Sequence, residues 1–165
     1  MSPNAGWSTT WMLSALRDNG DGSQLWSYDL HETSTKFVPS SLARSRWYFV
    51  QGDARETVPK APEFDYLFVD SNHSRGFAEW YVKELFPRLR PGAVVSVHDV
   101  FHAPVPSEEG EVVLDWLVHK GLTFWTPSLA AGGPACQTIL EERKRLGIGD
   151  PLHYSDKNPM LFFMT

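Results

Sequence analysis

Two stretches of the sequence place acids and histidines directly after apolar runs. "YLFVDSNHS" carries Asp70 at the end of its apolar run and His73 three residues later, and "AVVSVHD" ends in His98 and Asp99. Carboxylates and imidazoles are the side chains that bind divalent cations and move protons near neutral pH. Two apolar runs that end in the same kinds of group predict one shared site.

The position of such a site depends on how strand-like and helix-like segments alternate. Aromatic and β-branched runs predict strands, and apolar residues that recur every three or four positions predict helices. Predicted strands cover 24–30, 46–53, 64–70 and 93–99, with two more in "LTFWTP" and "PMLFFMT", and predicted helices cover 6–20, 75–90 and 111–119. This alternation predicts one α/β domain over residues 1–165, with a doubly wound, mostly parallel sheet.

In such sheets, ligands bind beyond the carboxyl ends of the strands. Several chemically active side chains fall at those ends: Asp29, Asp53, Asp70, His98 and Asp99. We therefore expect these residues to line one rim of the sheet, although they are scattered along the chain.

Composition excludes several classes of function. The 165 residues include 15 basic and 20 acidic side chains, giving a net charge of −5, and no cluster of Lys or Arg is present. Nucleic-acid binding is not expected, because it depends on concentrated positive charge. No apolar run approaches the roughly 18 residues needed to cross a bilayer, so no membrane association is expected. The single cysteine is compatible with a cytoplasmic protein.

Motifs along nearly the whole chain resemble one family. They are "SPNAGWST", "SYDL", "QGDA", "FVDSNHS", "LRPGAVVSVHD" and "VHDVF". Together they resemble class I S-adenosylmethionine-dependent methyltransferases, and in particular the metal-assisted branch that includes the macrocin O-methyltransferase and cephalosporin hydroxylase-like proteins. The resemblance implies a Rossmann-like fold and methyl transfer to a hydroxyl oxygen of a small molecule.

The resemblance also implies roles for residues at the cofactor. Ser2, Gly6 and Trp7 lie in or beside the turn that would bind S-adenosylmethionine, although this turn keeps one glycine where the family has two or three. Asp29 would hold the ribose hydroxyls, because an ionised carboxylate accepts strong hydrogen bonds from a diol. Asp53 would face the adenine amino group.

The same resemblance implies a divalent cation at the two strand ends. Asp70 and Asp99 would supply oxygen ligands, and His98 is the expected third ligand. Relatives often carry a carboxylate at the position of His98, so a nitrogen ligand there favours manganese or ferrous iron over magnesium. Asp70 would thereby orient the acceptor, and His73 or His102 would accept its proton. The loops "FHAPVPSEEGE" and "PSLAAGGPA" would select the acceptor.

Each of these residues also has a structural explanation. Gly6 is a suitable helix-start glycine, and Asp29 is suited to a side-chain turn. Asp53 could cap the short helix that follows it, and Asp70 could cap the helix that starts near Ser74. For the histidines, the alternatives are a buried hydrogen-bonded ring at His98 and exposed loop positions at His73 and His102.

One feature of the resembled fold has no counterpart in the sequence. A central first strand precedes "SPNAG" in that fold, whereas this chain starts at Met1. The gap would leave two rows of backbone groups unpaired. Three explanations remain open from the sequence: the chain is truncated at its N-terminus, the strands rearrange, or another chain fills the slot, as a second copy in a homo-oligomer could.

Two other functions remain open from the sequence. A methyltransferase-like domain could bind its cofactor or a partner chain without turnover. A nicotinamide-binding domain would also place an acid near Asp29, but the G-x-G-x-x-G pattern is absent.

Overall fold

The structure is a computed structural model that describes residues 1–101, 106–126, 141, 144–145, 147 and 160–165. The strands are β1 (Leu25–Asp29), β2 (Trp47–Gln51), β3 (Tyr66–Val69), β4 (Val94–Val97), β5 (Phe124–Trp125) and β6 (Leu161–Met164). The α-helices are α1 (Trp7–Asn19), α2 (Ser40–Ala43), α3 (Ala54–Thr57), α4 (Arg75–Trp80) and α5 (Glu108–Lys120). The chain forms two compact units, Met1–Pro62 and Glu63–Thr165.

The first unit is built on a parallel pair of strands. β1 and β2 pair with Ser27 opposite Phe49, and the indole of Trp47 donates a hydrogen bond to the Ser27 hydroxyl at 3.0 Å. α1 follows the chain's first turn, and its C-cap is Gly20, whose left-handed φ of 68° suits a glycine. Leu13 of α1 is fully buried.

The second unit contains a four-stranded sheet in the order β3-β4-β6-β5. β3 and β4 are parallel, whereas β6 runs antiparallel to both β4 and β5. One face of this sheet is fully or nearly fully buried, through Leu67, Val69, Val95, Val97, Leu161 and Phe163. α4 and α5 contact each other in this unit.

The end of α4 departs from regular α-helical geometry. A π-helical turn, Tyr81–Leu85, follows α4 directly, and a 3₁₀ turn, Phe86–Arg88, completes the segment. Pro87 explains the change at the end, since a proline inside a helix removes one backbone donor. The predicted helix over 75–90 is therefore confirmed as a helical segment, but it has three kinds of turn.

The α/β class and the parallel strand pairs confirm the predicted fold class at the level of the elements. The prediction of a single domain stays a prediction. Within the parts of the chain that the structure describes, no helix is long and apolar enough to cross a membrane.

Candidate functional site

The carboxyl ends of β3 and β4 bring four of the predicted residues together in the second unit. Because the two strands are parallel neighbours, their last residues meet at one edge of the sheet. Asp70 directly follows β3, and His98 and Asp99 directly follow β4. One ligand atom from each of Asp70, His73 and Asp99 lies within 4.8 Å of the others.

The polar residues after β3 form a side-chain turn and the N-cap of α4. Asn72 accepts a hydrogen bond from the Ser74 backbone N–H at 2.9 Å, which forms a side-chain turn. Ser74 is the N-cap of α4, and its hydroxyl accepts from the Phe77 N–H. The helix cap is therefore Ser74 and not Asp70, so the capping explanation of Asp70 does not apply.

The two residues after β4 have unusual local geometry. Asp99 has a left-handed backbone, with φ of 59°, a conformation that costs energy in most residues and that Asp tolerates better than most. Nδ1 of His98 lies 2.7 Å from Asp99 Oδ1 and 3.7 Å from Asp70 Oδ1. Despite the short contact, the angles do not make a hydrogen bond, and this buried nitrogen has no hydrogen-bond partner among the described residues.

His73 contacts carboxylates through both ring nitrogens. Nε2 lies 3.1 Å from Asp99 Oδ2, and Nδ1 lies 2.7 Å from Oε2 of Glu109 on α5. The hydrogen bond with Glu109 raises the pKa of His73, with further raising by the negative charges of Glu109, Asp99 and Asp70, while partial burial opposes the shift. The imidazole of His73 thus lies directly beside two carboxylates, those of Asp99 and Glu109.

Glu109 is a buried acid that the sequence analysis missed. Its side chain is 0% exposed, and its Oε1 accepts a hydrogen bond from the buried Tyr81 hydroxyl at 2.8 Å. Burial and the negative charge of Glu109 raise the pKa of Tyr81, so the phenol keeps its proton. The available signal was helical spacing, because Glu109 lies four and eight residues before the buried Val113 and Leu117.

The residues predicted at the cofactor lie in the first unit. Gly6 precedes α1 with φ of 83°, and a Cβ on it would lie 2.6 Å from Val38 Cγ2. Ser2 donates its backbone N–H to the Tyr28 carbonyl at 2.8 Å, which ties the first turn to β1. Trp7 is 77% exposed and packs edge-on against Trp11. Gly6 is therefore required by backbone geometry and by close packing.

The two acids of the first unit already have partners. Asp29 Oδ2 accepts from the Asn4 N–H at 3.3 Å, and Oδ1 accepts from the His31 N–H at 3.1 Å. The second bond is the side-chain turn expected as the alternative role of Asp29. Asp53 caps α3 by accepting from the Arg55 N–H at 2.8 Å. Both structural explanations are confirmed, and both cofactor roles stay predictions.

Two expectations lie outside the described residues. His102, the second histidine considered as a proton acceptor, and the loop "PSLAAGGPA" belong to parts of the chain that the structure does not describe.

Comparison with known proteins places this geometry in context. A search of curated proteins found no match. Several solved structures have a similar fold. A proposed rRNA methylase from Clostridium thermocellum is 12% identical, with a TM-score of 0.58 over 97% of this chain and 83% of its own. The O-methyltransferase TomG from Streptomyces achromogenes, solved with S-adenosylmethionine, is 21% identical, with a TM-score of 0.50 over 99% and 70%.

A third similar structure is an O-methyltransferase family 2 protein from Planctomyces limnophilus in complex with apigenin. It is 12% identical, with a TM-score of 0.57 over 94% of this chain and 47% of its own. At these identities the likeness shows the fold, which confirms the predicted Rossmann-like methyltransferase fold. A model of the family described as a methyltransferase domain matches residues 4–100, more than half of the chain. The chain therefore belongs to this methyltransferase family, which confirms the prediction of a methyltransferase.

Proposed function

We propose that this methyltransferase methylates a hydroxyl oxygen of a small molecule, and that Asp70, His98 and Asp99 hold a divalent cation that orients the acceptor. The observation that carries the proposal is the buried Nδ1 of His98, which faces two carboxylates without making a hydrogen bond. An unpaired buried polar atom costs free energy. Binding a cation would satisfy that nitrogen and relieve the repulsion between the two acids.

The ligand types favour particular metals. Two carboxylates and an imidazole suit manganese or ferrous iron, whereas magnesium prefers oxygen ligands alone. When bound, the cofactor supplies an electrophilic methyl group, and the cation lowers the pKa of a coordinated hydroxyl. The residues of the chain then have two tasks, which are to fix the acceptor and to take its proton.

His73 is suited to the second task. Its Nε2 lies at the edge of the cluster beside Asp99, and its side chain is 36% exposed, so an acceptor can reach it. The neighbouring acids raise its pKa, which makes the ring a stronger base. We assign acceptance of the proton to Nε2, because Nδ1 contacts Glu109.

The proposal for the cofactor rests on the first unit. Gly6 provides the left-handed turn that starts α1, and helix N-termini attract anionic groups such as a carboxylate. Ser2 and Trp7 would border the cofactor, Asp29 would bind the ribose diol, and Asp53 would face the adenine. Each carboxylate oxygen of Asp29 has capacity for a further hydrogen bond beyond the backbone bond that it accepts.

A small-molecule acceptor is supported by charge and by relatives. The net charge of −5 opposes binding to a polyanion. Two structures of similar fold are O-methyltransferases, one of them bound to apigenin. Oxygen as the target atom is proposed on this basis.

The test is a titration with Mn²⁺, in which binding is measured as the loss of the electron paramagnetic resonance signal of free Mn²⁺. Asp70→Asn and Asp99→Asn should each weaken Mn²⁺ binding while leaving the calorimetric affinity for S-adenosylhomocysteine unchanged. Asp65→Asn is the matched control, since Asp65 is exposed and pairs with Arg90. Wild-type protein that binds S-adenosylhomocysteine but no Mn²⁺ or Mg²⁺ would remove the cation from the proposal and leave His73 as the candidate for the proton step among the described residues.

A further inference from the structure

The solvent-facing side of α1 carries large apolar side chains. Trp7 and Trp11 are 77% and 65% exposed, and their rings pack edge-on with centroids 6.2 Å apart. Ala15 and Asp18 continue the same side toward the end of the helix and are exposed as well. With about 3.6 residues per turn, these four positions lie within about 80° around the helix axis, away from the buried Leu13. We call these four residues the α1 stripe; adjacent exposed aromatic rings commonly mark an interaction site.

The hydroxyl groups beside the stripe do not oppose its burial. Thr10 donates its hydroxyl hydrogen to the Gly6 carbonyl at 2.8 Å, and Ser14 donates to the Thr10 carbonyl at 2.9 Å. Both hydrogens are therefore satisfied within the helix when water is removed. The charged pair of Arg17 and Asp18 lies at the end of the stripe and is exposed. An apolar centre with a charged end is typical of an interface.

The two ends of the stripe are complementary to each other. The first turn of α1 has no acidic residue and offers the indole N–H of Trp7, whereas Asp18 places a carboxylate in the last turn. A carboxylate is unfavourable at the C-terminus of its own helix and favourable beside a helix N-terminus. An antiparallel copy of the same helix would bring Asp18 of one chain beside Trp7 of the other. Two-fold symmetry would make this contact twice.

We propose that α1 pairs with α1 of a second copy of this chain, antiparallel and through the α1 stripe. The register that joins Asp18 to Trp7 also sets the large ring of Trp11 opposite the small side chain of Ala15. Two short helix faces bury less than the roughly 1,600 Å² of a standard interface, so the dimer should be weak and depend on concentration. The pairing does not rest on the proposed function. Because Trp7 is also proposed beside the cofactor, the test uses the other three residues.

The experiment is sedimentation velocity of the full chain from micromolar to millimolar concentration. The wild type should change from monomer to dimer, without larger species. Trp11→Glu should raise the dissociation constant of the dimer by more than roughly tenfold, because a central aromatic ring often dominates an interface. Val118→Glu is the matched control and should leave it unchanged, since Val118 is 76% exposed on α5, a helix of the same length. A wild type that stays monomeric, or a dimer that Trp11→Glu does not weaken, would overturn the proposal.

Ala15→Trp separates specific pairing from general association of exposed rings. A second large ring opposite Trp11 does not fit between two closely packed helices, so this variant should weaken the dimer. Non-specific association should instead become stronger. Asp18→Lys should also weaken the dimer, and more so at low salt, because it replaces an attraction to the partner's helix N-terminus by a repulsion. An Ala15→Trp dimer as tight as that of the wild type would contradict the antiparallel pairing.

A lipid surface is the other partner that exposed tryptophans could contact. The stripe itself carries no basic residue, and the net charge of the chain is −5, so attraction to anionic lipid is not expected. Flotation with phosphatidylcholine vesicles tests this alternative on the same samples. A monomer that floats with the vesicles, and loses this property in Trp11→Glu, would overturn the pairing and assign the stripe to lipid. The titrations with S-adenosylhomocysteine and Mn²⁺ test the proposed function separately.

Discussion

His98 and His73 contact the same carboxylates but differ in how their rings are held. Nδ1 of His73 is fixed by Glu109, whereas Nδ1 of His98 lies between Asp70 and Asp99 without a hydrogen bond. A ring held by a buried acid is oriented for proton transfer, and an unpaired nitrogen between carboxylates is placed for a cation. The two histidines can therefore be assigned different roles at the level of single atoms.

Replacing each histidine separates these roles. His98→Gln should weaken Mn²⁺ binding by more than roughly tenfold, since even partners outside the ligand set cost about that much in metal affinity. His73→Gln should leave Mn²⁺ affinity within a few-fold of the wild type. His98→Asp should keep cation binding and shift preference toward Mg²⁺, because an oxygen replaces a nitrogen.

The measurement is competitive titration of Mn²⁺ and Mg²⁺ against each variant. His119→Gln is the control, because His119 is exposed and its ring contacts the carbonyl of Asp115 on its own helix. A large loss of affinity in His73→Gln, together with wild-type affinity in His98→Gln, would exchange the two assignments. That result would agree with the 4.8 Å grouping of Asp70, His73 and Asp99.

Two helical glycines among the described residues of the second unit, Gly76 and Gly110, illustrate how packing overrides helix propensity. A Cβ added to Gly76 in α4 would meet no atom within 4 Å, so Gly76→Ala should stabilise the fold by about 0.5–1 kcal/mol. At Gly110 a Cβ would meet the Val100 carbonyl oxygen at 2.9 Å. Gly110→Ala should therefore destabilise the fold by about 1–3 kcal/mol despite the higher helix propensity of alanine.

Urea unfolding of both variants checks this prediction through the free energy of unfolding. The two substitutions make the same chemical change in two helices, so opposite signs would isolate the close approach of α5 to Val100. A Gly110→Ala variant as stable as Gly76→Ala would mean that this approach is not tight.

The strands were predictable from sequence because their apolar runs are short and clearly bounded. Predicted strands 46–53 and 64–70 contain β2 and β3. The acids that end the two predicted strands, Asp53 and Asp70, lie just after the carboxyl ends of the observed strands. The antiparallel pairing of β6 was not foreseen, because strand order depends on contacts far apart in sequence. Glu109 was missed for a related reason. An acid near a helix start usually faces solvent, and its burial depends on Tyr81 from another element.

At the scale of the whole molecule, the proposed ligand groups fall in different compact units. The cofactor residues lie within Met1–Pro62, and the cation residues lie within Glu63–Thr165. The family match over residues 4–100 includes Asp29 and Asp53 from the first unit, and Asp70, His98 and Asp99 from the second. The two ligands can therefore be tested with substitutions that touch one group at a time.

A ligand that binds only the folded state stabilises it by mass action, by about 2.7 kcal/mol at a concentration 100 times its dissociation constant. S-Adenosylhomocysteine and Mn²⁺ should each raise the melting temperature of the wild type. Asp29→Asn should lose much of the shift with S-adenosylhomocysteine, because a hydrogen bond to a charged group contributes about 1.5–3 kcal/mol. The same variant should keep the shift with Mn²⁺. Asp99→Asn should show the reverse pattern.

The controls for these melts are the variants without ligand and Asp21→Asn. Asp21 is an exposed acid of the first unit that, like Asp29, accepts a backbone N–H, here from Ser23 at 2.9 Å. Asp21→Asn should therefore keep both ligand shifts, and comparison of the unliganded melts separates binding from loss of the Asn4 and His31 contacts of Asp29. If folded Asp29→Asn kept the full rise in melting temperature with S-adenosylhomocysteine, Asp29 would not bind the ribose. Its role would then be the side-chain turn alone.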